Sequence, residues 1–335
     1  MPLPTSVKLL KEHGRPEIFL SLARVANSSR VFLGASDGKV YDVDVLAEKQ
    51  DWKALEGHTS FVTGVTIASA GNVLVSGSYD GKLIWRKVEG GEIIRTAEGA
   101  HARWIRKVIA TPDGTRVISI ADDMVCRVWD AETGNKIHEM RGHEEQTPQH
   151  FPSMLYACCI TADNRLLATA DKTGRINIWD LASGNKLTTL EAPGFYTWDP
   201  QQRIHSIGGI RSIAFSPDGA SLAAGGIGHI GNIDHLDGPA RVELFAWEKA
   251  EKLHEFLGDA KGLVTSLAFG ADGKWLLAAG GDNGGLIQIY DLEAKKVAKS
   301  DKAPMHIHAA TFSENQEQLF AGGHGKVAVW ELKPA

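Results

Sequence analysis

The sequence predicts an all-β fold in which one small antiparallel sheet is repeated seven times along the chain. Three observations carry that expectation. Short runs of alternating apolar residues bounded by turn residues recur throughout, they return at a near-constant interval, and no stretch keeps a helical period.

The most complete repeat runs from His101 to Asp130, HARWIRKVIATPDGTRVISIADDMVCRVWD. A loop histidine precedes an apolar run (Ile105, Val108, Ala110), a turn at Pro112-Asp113-Gly114 and a second run from Val117 to Ile120. An Asp122-Asp123 turn then leads to a third run ending at Trp129-Asp130. Aligning the rest of the chain to this stretch puts Val43, Arg86, Trp129, Trp179, Trp247, Tyr290 and Trp330 at one point of the third strand, with an acidic residue next in six of the seven. Several intervals between them are about 43 residues, inside the roughly 40–45 of a four-stranded propeller blade.

At these positions the chain resembles the WD-repeat β-propeller family, whose unit runs from a Gly-His pair to a Trp-Asp pair. Gly57-His58, Gly142-His143 and, with one extra residue, Gly99-Ala100-His101 carry the first half; Trp129-Asp130 and Trp179-Asp180 carry the second. The resemblance covers nearly the whole chain and implies a single seven-bladed propeller over residues 1–335. It also implies a hydrogen-bonded set in each blade, for which His101, Ser119, Asp123 and Trp129 supply all four members. A buried indole N–H and imidazole need such partners. Elsewhere the set erodes: Arg86 takes the Trp register after His58, Ser76 and Asp80, with Trp85 on the opposite strand face, and Thr173 and His324 stand where an Asp is expected before Trp179 and Trp330.

The first blade is expected over Ile18–Arg24, Arg30–Ala35, Lys39–Val45 and Asp51–Leu55. The last repeat stops at Trp330-Glu331-Leu332-Lys333 without an outer strand. Residues 6–14, SVKLLKEHG, resemble the outer strands near Lys136 and Lys186 and are expected to complete that blade, removing two free sheet edges.

Composition narrows the function. A net charge of -5 argues against a general nucleic-acid binder, which needs a basic stripe to displace counterions from phosphates. No apolar stretch approaches a membrane span and the N-terminus lacks an apolar signal core, so a cytoplasmic location is the default. Cys126, Cys158 and Cys159 all fall in predicted strands, where neighbours point to opposite faces, so reduced thiols are expected.

Against this regular frame three insertions stand out, at 143–153, 191–209 and 226–241. In the propeller fold such loops emerge on one face, here over blades four and five. They carry Phe151, Phe195, Tyr196 and Trp198 and five histidines: His143, His150, His205, His229 and His235. One reading is that the aromatics pack the loops down as small satellite cores. The other is a rim that binds a protein or peptide, since Tyr, Trp and Arg dominate interface hot spots. On that reading the partner-binding residues are Trp104, Phe151, Tyr196, Trp198, Asp199, Arg203, His205, His229, Asp234 and His235, with Arg106 beside Trp104.

Enzymatic chemistry finds no comparable support. His229, Asp234, His235 and Asp237 have donors a transition metal accepts, with His205 as a further candidate, but their spacing fits no metal motif, and Asn, Asp, His and Gly dominate turns anyway. The Gly pairs at 225–226, 280–281, 284–285 and 322–323 lack the helix and Lys-Ser/Thr of a phosphate loop. No Ser or Cys sits in a nucleophile elbow. The sequence therefore points to a non-catalytic scaffold without cofactor that binds a protein, not nucleic acid or membrane, on the insertion-bearing face. A metal-dependent enzyme or small-ligand binder on the His/Asp-rich loops is the alternative.

Overall fold

Ile105–Ala110, Arg116–Ala121, Val125–Asp130 and Lys136–Arg141 lie side by side as one four-stranded sheet, the unit read from the complete repeat. Its second strand is buried on both sides from Val117 to Ala121, which explains why that run does not alternate: it is apolar apart from Ser119, whose hydroxyl is hydrogen-bonded. The computed structural model describes residues 1–201, 205–231 and 238–334, the side chains of 258 and 259 excepted. The fold is all-β, a β-propeller of four-stranded antiparallel blades, and its described helices are three-residue 3-10 turns such as Pro193–Phe195 and Trp247–Lys249. Among the described residues no helix is long and apolar enough to cross a membrane.

The chain folds as two compact units: Met1–Thr5, Arg141–Ile307 and Pro334–Ala335 form one, and Ser6–Met140 with His308–Lys333 the other. The first unit holds the four-stranded sheets that begin at Leu155, Ile210 and Leu263, and a two-stranded hairpin, Tyr196–Trp198 with Ser206–Gly208. The second holds the sheets that begin at Val62 and Ile105, together with a sheet of six strands.

That last sheet corrects the count. Six blade sheets stand among the described residues where seven separate ones are expected. The order in the largest is Ile307–Phe312, Gln318–Pro334, Pro4–Arg24, Arg30–Ala35, Val40–Asp44, Lys53–Leu55. The segments expected as an outer strand at 6–14 and a first strand at 18–24 are one continuous strand, so the first and last repeats share a sheet. Residues 19–24 of it pair with 31–35. Its earlier part is held by side chains: Lys326 Nζ reaches Glu12 Oε1 at 3.2 Å, Lys11 Nζ donates to the Ala47 carbonyl at 2.6 Å, and a His13 ring nitrogen donates to the Val45 carbonyl at 2.8 Å. This hydrogen-bonded junction of N- and C-terminal strands is the closure expected from the sequence.

Strand registers correct a second expectation. Val117 pairs with Trp129, Leu167 with Trp179, Leu74 with Arg86 and Leu276 with Tyr290, but Leu222 pairs with Phe245. Phe245, not Trp247, therefore occupies the tryptophan register of the fifth repeat. Trp247 lies two residues on, in a 3-10 turn, and its indole donates to the Gly219 carbonyl at 2.8 Å.

Among the glycine pairs, Gly280 and Gly285 are backbone-approach positions, Gly225 and Gly322 lie against side chains, and Gly284 has open space. A Cβ on Gly285 would lie 1.9 Å from the Met305 carbonyl oxygen, and one on Gly280 would lie 1.9 Å from that of Leu263. The cysteines form no disulfide, Cys126 and Cys158 being buried and Cys159 partly so.

Candidate partner-binding surface

The polar sets that hold the blades define what is structural before the loops are considered. The Trp129 indole donates to Ser119 Oγ at 2.8 Å, the Ser119 hydroxyl donates to His101 Nε2 at 2.7 Å, and His101 Nδ1 donates to the Asp123 carboxylate at 3.0 Å. These directions use each donor once. Burial alone would push the Asp123 carboxyl up, yet the hydrogen bonds from His101 and Arg127 hold it well below the usual carboxylate range. Burial pushes the His101 imidazole down, against the pull of Asp123, so the ring is kept neutral.

The fourth repeat has the same set, contrary to the expectation that Thr173 interrupts it. Trp179 donates to Thr169 Oγ1 at 2.8 Å, Thr169 bonds His143 Nε2 at 2.8 Å, and His143 Nδ1 donates to Asp171 at 2.8 Å. Asp171 follows Thr169 by two residues whereas Asp123 follows Ser119 by four, and spacing alone conceals it. In the second repeat His58 bonds Ser76 at 2.9 Å and Asp80 at 3.1 Å, but Arg86 replaces the indole and the Trp85 Nε1 is buried with no acceptor among the described residues. Burial would raise the Asp80 carboxyl; the His58 bond and the Thr59 and Lys82 amides bring it down to about 2.

In the first unit, the three insertions meet. The Tyr196 hydroxyl donates to Gln149 Oε1 at 2.8 Å and also lies 3.0 Å from Ser206 Oγ, joining the loop at 191–209 to that at 143–153. Ile230 of the third insertion donates its amide to Thr197 Oγ1 at 3.0 Å and is fully buried with Ile227, beside Ile207 and Leu263. On this support sits an aromatic shelf. Phe151 and Trp198 have ring centroids 5.3 Å apart, and His205 lies 5.9 and 6.0 Å from them. Trp198 keeps 36% of its surface exposed, whereas Phe195 is entirely buried, with the Arg241 guanidinium 5.5 Å from its centroid. The Asp199 amide and the His205 carbonyl close the turn at 2.9 Å, and Asp199 Oδ1 accepts the Gln201 amide. Asp199 thus orders its own loop.

His229 is exposed. Arg203, Asp234, His235 and Asp237 lie outside the described residues, so the proposed metal set has one described member. Among the described residues no group of three His, Cys, Asp or Glu side chains is arranged to hold a metal ion.

In the second unit, Trp104 is 50% exposed and stacks on Tyr79 with centroids 4.5 Å apart and planes 7° from parallel; Tyr79 stacks in turn on Phe61 at 5.7 Å. Arg106 lies 4.9 Å from the Tyr79 centroid and is clamped by Asp122, Nε to Oδ1 at 2.7 Å and Nη2 to Oδ2 at 2.6 Å. The sequence singled out Trp104 and Arg106 but missed Phe61 and Tyr79. The signal was available: Tyr79 holds the repeat position at which Asp122 stands, one residue after the end of the second strand.

A family model for the WD domain, G-beta repeat, matches residues 50–85, 91–130, 134–180, 199–229 and 250–291, more than half of the chain. Nuclear distribution protein PAC1 of Arthroderma otae is 32% identical over 56% of this chain and 42% of its own length. A guanine nucleotide-binding protein subunit beta-like protein of Encephalitozoon cuniculi is 23% identical over 85% of this chain and 84% of its own. Eukaryotic translation initiation factor 3 subunit I of Candida albicans is 24% identical over 61% and 52%. The chain thus spans less than half the length of the nuclear distribution protein it matches.

Proposed function

The chain belongs to the WD domain, G-beta repeat family, and on that footing we propose that it is a non-catalytic interaction scaffold whose partner, a protein or peptide, binds the shelf built by the insertions of the fourth and fifth repeats. The observation that carries this reading is the joining of three separate insertions by Tyr196–Gln149 and Ile230–Thr197 beneath an exposed Trp198. Loops that merely tolerate extra residues need no such support, since a dozen flexible residues cost only on the order of 1–2 kcal/mol in closure entropy. Holding Trp198, Phe151 and His205 in place removes in advance an ordering cost that a partner would otherwise meet. One of the similar proteins is named as a subunit and another as subunit beta-like, which agrees with a role in assembly. Three cysteines outside any disulfide agree with a reducing, cytoplasmic setting.

The test is a pull-down from native extract with the wild-type chain and a Tyr196→Ala/Trp198→Ala variant, folding being checked by thermal melting. Partners retained by wild type and lost by the folded variant support the surface. Retention of every partner would refute it.

A further inference from the structure

The first strand of a blade carries a bulge near its start, and its residue is Arg106 in the third repeat, Tyr156 in the fourth and Arg211 in the fifth. The residue after the one paired with the start of the first strand is Asp122 in the third, Lys172 in the fourth and, still within the second strand, Ile227 in the fifth. In the third repeat the two positions neutralise each other, because Asp122 grips Arg106 with both oxygens. In the fifth, among the described residues, Arg211 faces no such acid: Ile227 is apolar and fully buried. In the fourth the acid is replaced by a cation, Lys172.

Arg211 is nevertheless held in place. Its guanidinium carbon lies 3.6 Å from the Tyr156 ring centroid, Nη2 donates to the Gly208 carbonyl at 3.1 Å, and Nε is buried without an acceptor among the described residues. No carboxylate pairs with Arg211 among the described residues. The Ser153 side chain, 4% exposed as a residue, also has a buried hydroxyl oxygen with no partner there. Lys172 Nζ reaches the Pro152 carbonyl at 3.4 Å, next to Phe151 of the shelf, and a Cβ on Gly209 would touch both Lys172 and Tyr156 at about 3 Å. The site around Arg211 is therefore continuous with the aromatic shelf.

We propose that the partner segment seated on this shelf is acidic and that Arg211, flat on Tyr156, takes the carboxylate of an Asp or Glu side chain. The inference rests on the shelf being the partner surface and adds the partner's chemistry. A planar guanidinium fixed by stacking presents its remaining N–H groups to a carboxylate at little further entropy cost. Charge complementarity selects this occupant: no carboxylate among the described residues pairs with the guanidinium, and a basic or neutral segment seated over it would supply none.

The test uses the full chain and an immobilised array of twelve-residue peptide pools, randomised except for a central Asp or Glu, Asn or Gln, Lys, or phosphoserine. Wild type is expected to bind the Asp/Glu pools at least about tenfold more strongly than the Lys and Asn/Gln pools. Arg211→Gln should collapse that ratio toward one, and Arg211→Lys should restore part of it. Trp198→Ala should weaken all pools by a similar factor and leave the ratio intact. An unchanged ratio in a folded Arg211→Gln variant overturns the proposal, as does binding of the phosphoserine pool alone or no acidic preference in wild type. If Trp198→Ala changes nothing while Arg211→Gln still collapses the ratio, the shelf reading falls and the acidic preference stands.

Discussion

Arg86 occupies the strand position that Trp129 occupies in the following repeat, each opposite a buried aliphatic residue, Leu74 and Val117. Arg86 is 3% exposed, donates to the Glu56 and Gly91 carbonyls, and has a buried Nε without an acceptor among the described residues. The His58–Ser76–Asp80 set beside it lacks an indole. Arg86→Trp is expected to return that donor to Ser76 and remove a buried charge, raising stability by about 1 kcal/mol in urea unfolding. A loss of stability instead would show that the two carbonyls depend on the guanidinium.

Trp129→Ala should cost about 3–5 kcal/mol, as a large buried aromatic is lost together with its edge contact to Trp85. Trp129→Phe keeps most of the buried area and loses only the bond to Ser119, so about 1 kcal/mol is expected. Paired chemical denaturation of the two variants separates packing from polar contributions. Peptide binding by the folded fraction should be unchanged in both.

Asp171→Asn should destabilise the chain by about 1–3 kcal/mol, because a carboxylate that accepts from His143 and from the Thr173 amide and hydroxyl is replaced by a neutral amide. Thr173→Ala should cost less than about 1 kcal/mol, the worth of a single neutral hydrogen bond. Urea unfolding of the two variants gives the ranking, and the reverse order would return the fourth member of that set to Thr173.

Acid should act in two steps. His101 is lowered in the folded state, so its contribution is fully present above the ordinary histidine value near 6.5 and falls as pH drops below it, where the unfolded chain takes up the proton first. Asp80 and Asp123 are lowered too, so their contributions persist above about 4 and vanish as pH falls through the folded values, about 2 for Asp80. Urea midpoints at pH 7, 5 and 3 should fall at each step, and His101→Gln should reduce the drop between 7 and 5 without removing the one between 5 and 3.

How much of this could be read from the sequence differs by level. Strand positions were legible because apolar alternation and turn residues are local: Arg30–Ala35 has the expected bounds, and Val40–Asp44 falls within one residue at each end of those expected for it. Registers were less so. Trp247 carries the more familiar signature, a tryptophan followed by an acid, but hydrogen bonding across to Leu222 selects Phe245, and no local pattern reports a cross-strand partner. Asp171 was hidden for a related reason: side chains from two backbone positions can reach the same imidazole. At the surface, the sequence located Trp198 and Tyr196 by departure from the repeat, while Gln149 and Arg211 matter through contacts made between loops and bulges far apart in sequence.

The shared strand from Pro4 to Arg24 has a consequence for synthesis. Arg24 bonds the Phe312 carbonyl, Asn27 bonds Glu314 and Lys326 bonds Glu12, separations of 288, 287 and 314 residues. This strand is therefore synthesised well before Gln318–Pro334, the strand that covers its outer edge. Until then its backbone edge stays open to other strands, including those of other nascent chains. Closure of so long a loop makes this junction a late and slow event in folding. During synthesis the hazard to guard against is premature pairing of this edge, which gives a chaperone that shields residues 6–14 a defined period in which to act.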